Sequence, residues 1–336
     1  MQAMTTTPQS LADLINQFGG RVACLSTSKD PNAKVTLLLF QAHATSPSYV
    51  AKVPTTDLAT VRIEAEAAHL VEISHRSLGD LSNTVPEFVT MAEHENRPVL
   101  VTTALPGRSM NASYHTWHHT ARRTAVAADF AAAAAWLGEL HANTADDKID
   151  LAGMLDGVAD KIEAKFADKP GVPADVLHLH ILQRRLTGYW TPRTVVHGDF
   201  WPGNLLLAHG RVSGVVDWEG ACAYGSPLQD VAHFVISYSL YLDRHTRAGR
   251  VVAGHPSLTA GRWGCGVEYA VDGSGWYPLL VRGFLTNALQ QLGTAESCWR
   301  DVLMADLATI AAEADHPEFA WQHLQLFRRM YHTGHR

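Results

Sequence analysis

From about residue 20 to 54 the apolar positions come in short runs, "RVACL", "KVTLLLF" and "SYVAKVP", separated by polar turns such as "STSKDPNA". Runs of this length between turn residues predict strands. The spacing then changes. In "TDLATVRIEAEAAHLVEIS" the residues Val61, Ala65, Ala68 and Leu70 fall near one face with acids early, which predicts a helix. "PEFVTMA" and "RPVLVTTA" predict a further strand pair. Pro106 and Gly107 in "LPGRSM" break the pattern and mark a boundary between residues 1–104 and 105–336.

Beyond that boundary the pattern is helical. "RRTAVAADFAAAAAWLGELH" is Ala-rich and uninterrupted, a strong helix former. Further helices are predicted near 151–168, 174–189, 227–242, 277–292, 298–314 and 317–331. One strand island interrupts them, made of "VVHGDFWPGNLLL" and "RVSGVVDWEG". The Gly-rich residues 244–275 read as a long loop or insertion, and such loops inside compact domains are usually functional or disordered. The outline is α+β, a small β-rich N-terminal lobe followed by a larger, mainly helical C-terminal lobe.

Composition narrows the picture. A chain of 336 residues with 46% hydrophobic content can bury a core in each lobe. A formal net charge of −6, spread over both halves, argues against a nucleic-acid partner, which needs a basic face. Cys24, Cys222, Cys265 and Cys298 are far apart and form no CxxC, so neither a zinc ribbon nor a disulfide framework is expected. "MQAMTTTPQS" lacks the charged start and apolar core of a signal peptide, and no apolar run is long enough to span a bilayer. A cytoplasmic protein without a membrane partner, monomer or homodimer, is the expectation.

Candidate chemistry concentrates in the strand island. Asp199 is followed by Asn204 and, farther on, by Asp217 in "GVVDWEG". Two carboxylates and an amide around a strand–turn–strand unit suit an oxygen-loving cation such as Mg²⁺, and leave one carboxylate to accept a proton. Phosphoryl transfer needs little beyond this except a lysine on the nucleotide phosphates. Lys52 in "YVAKVP" is the candidate, because a cation on a buried strand is costly unless paired. Glu64 and Glu66 of the next helix are the available partners.

The order His197, Asp199, Asn204 matches the kinase pattern H-x-D-x₄-N, and Lys52 stands in a V-A-x-K-like strand. "HGDFWPGN" with "VVDWEG" resembles the aminoglycoside phosphotransferase family, related to choline kinases, and the likeness extends over most of the chain. "EAAHL", "VTTALPG", "WLGELH" and "GSPLQDVA" resemble that family's partner helix, hinge, long helix and segment after the metal site. The resemblance implies a bilobal protein-kinase-like fold and an ATP-dependent kinase, GTP being a possible alternative donor, that phosphorylates a hydroxyl of an aminoglycoside or related sugar-bearing molecule. It implies Asp199 as catalytic base, Asn204 and Asp217 as Mg²⁺ ligands, and Lys52 on the phosphates with Glu66 as its partner. The backbone of Thr103 and Leu105 would meet the adenine edge, while His197 and Asp230 would brace the catalytic loop.

Two departures stand out. Asp217-Trp218-Glu219 replaces the Asp-Phe-Gly of protein kinases, which favours a small-molecule kinase and gives Glu219 a supporting role toward metal or substrate. "STSKDPNAK" carries no glycine where a phosphate-covering loop usually has several, leaving Ser26, Thr27 and Ser28 to supply hydroxyls and amides. His115, His118 and His119 have helical spacing, but no acid or cysteine lies near them in sequence, and they are set aside as metal ligands. Residues 246–275 are expected to wall the acceptor site. The alternatives are a choline, amino-alcohol or nucleoside kinase, or a non-catalytic nucleotide-binding protein of the same fold.

Overall fold

A computed structural model describes residues 9–333 apart from 18, 29 and 30. They fall into two units, one running to Pro106 and including Gly214–Ala221, the other made of Gly107–Ser213 and the chain from Cys222 onward.

The first unit begins with a short helix α1 (Leu11–Gln17), followed by β1 (Arg21–Thr27), β2 (Lys34–Phe40), β3 (Tyr49–Pro54), α2 (Asp57–Ser74), β4 (Phe88–His94) and β5 (Arg97–Thr103). Its strands form one antiparallel sheet in the order β1-β2-β3-β5-β4. Alternate side chains on a strand face opposite ways, and the packing partners follow that period. Leu37, Leu39, Ala51, Val99 and Val101 pack with Leu11 and Leu14 of α1. Leu100, one residue out of phase, packs instead on Ile63 and Ala67 of α2. Lys52 is paired in register with Leu100, so it lies on the α2 side of the sheet. Lys34 shares that side, two positions before Thr36, which pairs with Lys52.

Helix α2 starts at Thr56, whose hydroxyl accepts the Ala59 N–H at 3.1 Å, a cap of the usual kind. Its buried stripe is Ala59, Ile63, Glu66, Ala67, Leu70 and Ile73. The sequence expectation put Val61, Ala65 and Ala68 on that face. Val61 is instead 60% exposed, because the helix is turned to bury Glu66. A carboxylate on the inner stripe falsifies a purely apolar count.

The second unit contains β6 (Arg108–Ser109), α3 (Met110–Tyr114), α4 (Arg123–Thr144), β7 (Lys148–Asp150), α5 (Val158–Lys165), α6 (Val172–Leu186), β8 (Trp190–Pro192), β9 (Thr194–Val196), β10 (Leu205–Ala208) and β11 (Arg211–Val215), whose last residues run into the first unit. It continues with β12 (Cys222–Gly225), α7 (Leu228–Leu240), β13 (Val251–Val252), β14 (His255–Thr259), α8 (Cys265–Asp272), α9 (Trp276–Gln291), α10 (Trp299–Glu313) and α11 (Pro317–Thr333). Phe130 of α4 centres an aromatic cluster, with rings of Phe234 and Tyr238 (α7) and Phe284 (α9) at 5.1, 5.0 and 5.2 Å. Edge-to-face contacts of this kind add about 0.5–1.5 kcal/mol each beyond area burial and lock three helices together. Trp136 of α4 stacks on Phe200 at 5.3 Å, which ties the turn after β9 to the same core.

Residues 244–275 are not a simple loop. They build the β13–β14 hairpin and α8. His255 of the hairpin is buried, its Nε2 within 2.9 Å of the Thr120 carbonyl, and its ring meets Tyr269, Trp276 and Tyr277. Among the glycines that suggested a loop, Gly266 on α8 serves close packing against the Ser239 carbonyl. The histidine spacing after α3 is not helical either. That helix ends at Tyr114, and residues 115–122 form turns with His118 at φ 58°.

Two glycines on neighbouring helices should respond oppositely to alanine. At Gly266 a methyl group would collide with the Ser239 backbone oxygen, so Gly266→Ala should cost about 1–3 kcal/mol. Gly283 on α9 has nothing within reach, so Gly283→Ala should be neutral or stabilising by up to about 1 kcal/mol. Denaturant midpoints at unchanged slope would check both; equal effects would show that α8 is not packed as described.

Candidate active site

In the first unit the chemistry gathers around Lys52. Its Nζ lies 2.6 Å from both oxygens of Glu66 and 2.7 Å from Asp217 Oδ1. Burial alone would depress the ammonium, but the Asp217 and Glu66 carboxylates outweigh it and hold the Lys52 pKa above its ordinary value. Glu66 also accepts the Trp218 N–H at 3.2 Å, and Trp218 is fully buried with its indole N–H on the Val215 carbonyl at 2.8 Å. His69 Nδ1 lies 3.1 Å from the Trp218 carbonyl. Glu66 thus fixes both the lysine and the backbone that carries Asp217. Glu64, the other acid weighed from sequence, is exposed.

Asp217 adopts φ 70° and ψ 62°, the left-handed region, which costs a non-glycine residue roughly 1–2 kcal/mol. That conformation turns its carboxylate to both lysines. Lys34 Nζ reaches Asp217 Oδ1 at 3.2 Å and also pairs with Glu219. Burial would raise the Asp217 carboxyl, yet the two ammonium groups hold it well below the usual range. Glu219 is raised, by burial first and then by the neighbouring Asp217. Its other oxygen accepts the Asn32 amide at 2.6 Å.

Glu66, Asp217 and Glu219 each bring an oxygen within 4.8 Å of the others. Hard oxygen donors in a carboxylate-rich cluster fit Mg²⁺. Neither Lys34 nor Asn32 was singled out from sequence. The signal was present in the strand period, since Lys34 and Lys52 fall on one face as soon as β2 and β3 are put in register.

Ser28 turns out to close its own hairpin. Its N–H donates to the Lys34 carbonyl at 3.1 Å, and its hydroxyl accepts the Lys34 N–H at 2.9 Å. Ser26 and Thr27 lie on the exposed strand β1. At the end of β5, Thr103 N–H bonds the Glu87 carbonyl and Ala104 N–H bonds the Ser48 carbonyl. The Leu105 N–H has no protein acceptor among the described residues, consistent with a backbone donor available to a purine edge.

In the second unit, the turn after β9 is held by Asp230 of α7. Its two oxygens accept the N–H groups of His197 (2.7 Å) and Gly198 (2.9 Å), and Gly198 sits at φ 81°, a conformation that favours glycine. Burial pushes the Asp230 carboxyl up to about 7 against the pull of those two donors. The Asp199 N–H in turn bonds His197 Nδ1 at 3.2 Å. Asn204 donates through Nδ2 to both Asp199 Oδ2 and the Asp199 carbonyl, each at 3.0 Å, which leaves its carbonyl oxygen for a cation. Asp199 Oδ1 faces His233 Nε2 at 3.1 Å, and His233 Nδ1 faces the buried Asp306 at 3.4 Å. His233 and Asp306 are functional candidates that the sequence reading missed. His119, by contrast, is spent in the core: its Nε2 meets Asp129 Oδ2 at 2.8 Å, which also accepts the Tyr238 hydroxyl at 2.7 Å.

The fold and these two constellations define a protein of the kinase-like phosphotransferase class. Residues 37–263 match the model of the phosphotransferase enzyme family, so the chain belongs to that family. Among solved structures it is similar to a thermostable mutant of aminoglycoside phosphotransferase APH(4)-Ia in its apo form, at 15% identity and TM-score 0.59, over 96% of this chain and 98% of that one. A ternary complex of a variant of that enzyme with ADP and hygromycin B matches at 16% identity and TM-score 0.55, over 96% and 97%. The streptomycin–ATP ternary complex of APH(2")-IIa matches at 14% and 0.51, covering 94% of each chain. At these identities the likeness is one of fold. No curated protein matches the sequence significantly. Among the described residues no helix is long and apolar enough to cross a membrane.

Asp230→Asn should loosen the turn that carries Asp199. One amide N–H₂ would face a backbone N–H, so a loss of about 1–3 kcal/mol is expected. Chemical denaturation should read this as a lower midpoint, together with a lower turnover rate. Unchanged stability would mean that the two hydrogen bonds do not hold the loop.

Proposed function

We propose that this phosphotransferase moves the γ-phosphate of ATP to a hydroxyl of a sugar-bearing small molecule, with aminoglycoside-type compounds the first acceptors to try. The carrying observation is the Lys52 ammonium, largely withdrawn from solvent and shared between Glu66 and Asp217. A cation fixed this way is preorganised for nucleotide phosphates, and in phosphoryl transfer positioning and electrostatics supply most of the catalysis. GTP is the alternative donor.

Asp199 is the base. Its side chain is 44% exposed, so an acceptor hydroxyl can reach it, while Asn204 holds one of its oxygens in place. The acceptor oxygen bonds to the γ-phosphorus, the bond from that phosphorus to the β-bridging oxygen breaks, and ADP leaves with its electron pair. The hydroxyl proton goes to Asp199. Asp217 and the Asn204 carbonyl oxygen would hold Mg²⁺, with Glu219 in support. When bound, the ion neutralises phosphate charge. Lys52 binds the α- and β-phosphates, and the Leu105 N–H binds the adenine edge. The β13–β14 hairpin and α8 are the proposed acceptor wall.

A specific observation favours a second acceptor class. The acids of that wall are already paired, Glu268 with Arg329 at 2.7 Å and Asp272 with Arg300. A polycationic aminoglycoside would find few free carboxylates there. A neutral sugar, a macrolide or a nucleoside fits such a wall better. A screen of these classes with purified protein, reading ADP release, decides between them. A thermal shift with Mg-ATP but no turnover with any of them would leave a non-catalytic nucleotide-binding protein.

With an acceptor in hand, Asp199→Asn should fold normally and bind Mg-ATP while turnover falls by roughly 10²–10⁴, the contribution of a positioned base. Near-normal turnover would remove Asp199 from that role. Asp217→Ala should abolish activity at any Mg²⁺ level, whereas Glu219→Gln should cost about tenfold or less. The reverse order in a magnesium titration would exchange the two assignments.

A further inference from the structure

Outside the residues assigned so far, the second unit contains one buried cluster of ionisable groups that leads directly to the proposed base. Asp306 lies on α10 within an apolar stripe that includes Val302, Leu303, Ala305 and Leu307, and its side chain is 1% exposed. A carboxylate taken that far out of water is strongly unfavourable without a partner. Among the described residues its one charged partner within 4 Å is His233 Nδ1, at 3.4 Å. The opposite ring nitrogen, Nε2, meets Asp199 Oδ1 at 3.1 Å. The imidazole therefore bridges a carboxylate that solvent cannot reach and one that an acceptor can.

We propose that His233 is a positioning residue for the phosphoryl-transfer base: anchored by Asp306, it fixes the rotamer of Asp199 so that the carboxylate meets the acceptor hydroxyl. This rests on the reading of Asp199 as base. The remaining oxygen of Asp199 is held by Asn204, so the pair of contacts defines the plane of the carboxylate as well as its direction. Misplacing a reacting group by about 1 Å can cost on the order of 10²-fold in rate.

The charge state supports the geometry. The ionisable groups facing His233 are Asp199, Asp306, Asp230 on its own helix, and His323 on α11. Burial would depress the imidazole, but the Asp199 and Asp306 carboxylates beside it dominate and raise it to about 10. His323 is pushed the other way, down to about 4 by burial, and stays neutral. His233 is thus a cation at neutral pH and cannot take a second proton. It orients and balances charge, and it does not relay the proton.

The test compares four variants with the wild-type chain, using an acceptor from the screen. His233→Leu removes both contacts but leaves Asp306 buried and unpaired, so it can fail for lack of stability alone. His233→Leu/Asp306→Leu removes that burden, since a buried ion pair replaced by apolar groups is often neutral for stability. The double variant should melt near the wild-type temperature, keep the KM for ATP within about twofold, and still lose kcat by about 10–100-fold. His233→Gln, which keeps an N–H donor toward Asp199, should recover part of that loss. A double variant, or His233→Gln and His233→Leu alike, with kcat within twofold of wild type would overturn the proposal. Asp199→Asn measured alongside separates the two readings. If it loses turnover while the His233 variants do not, the positioning role falls and the base stands. If it too is unaffected, both fall.

Discussion

Much of the first unit is arranged around one ammonium that is largely withdrawn from solvent. Lys52 sits on the inner face of β3, where an unpaired charge would be expelled, so the structure must bring anions to it. Those anions come from two separate stretches of chain. Glu66 is supplied by α2, which rotates to bury it at the expense of Val61, and Asp217 by the Gly214–Ala221 segment, which returns to this unit from far along the sequence. Glu66 then uses its oxygens twice, on the lysine and on the Trp218 N–H. One charge requirement thereby sets the roll of a helix, the position of a fully buried tryptophan and the left-handed turn at Asp217.

The second unit solves the converse problem, presenting a carboxylate to solvent without letting it wander. Two buried carboxylates do this at a distance from the proposed base. Asp230 grips the backbone before Asp199, and Asp306 acts through His233 on the Asp199 side chain. Both rely on α7, which carries Asp230 and His233 one turn apart. That helix is in turn immobilised by the Phe130 cluster. Rigid helices, in place of a flexible loop, thus support the proposed base, which suits a reaction governed by orientation.

The sequence was legible where one periodicity held along a whole element. The five strands of the sheet, α2, α4 and the C-terminal helices lie where the apolar pattern put them, and the H-x-D-x₄-N spacing marked the Asp199 turn. It was less legible where a polar residue takes a buried position. Glu66 inverted the apparent face of α2, and Asp306 hid in the apolar stripe of α10. His233 had a signal of its own, three residues after Asp230 on a helix already marked by "GSPLQDVA", but its meaning depends on two partners far apart in sequence. The Gly-rich region misled for a different reason. Glycine was read as a breaker, whereas at Gly266 it permits helix α8 to approach Ser239, a distinction that only a packed neighbour can make.

The hairpin without glycine follows from the same electrostatics. A glycine-rich loop offers many mobile backbone N–H groups to phosphate, each weak and adaptable. Here Ser28 and Lys34 bond to each other at the mouth of the β1–β2 connection, so their own N–H groups are already committed. What the turn offers is a side-chain cation, Lys34, held beside Lys52 on one face of the sheet. Two ammonium groups against the three carboxylates of Glu66, Asp217 and Glu219 leave one net negative charge. Such a cluster attracts a divalent ion, and with that ion its sign reverses to favour phosphate. Lys34 balances the carboxylates of Asp217 and Glu219, and under the proposed reaction it would add positive potential toward the nucleotide. A fixed cation in place of flexible amides gives up conformational adaptability and gains preorganised charge, which is the quantity phosphoryl transfer most depends on.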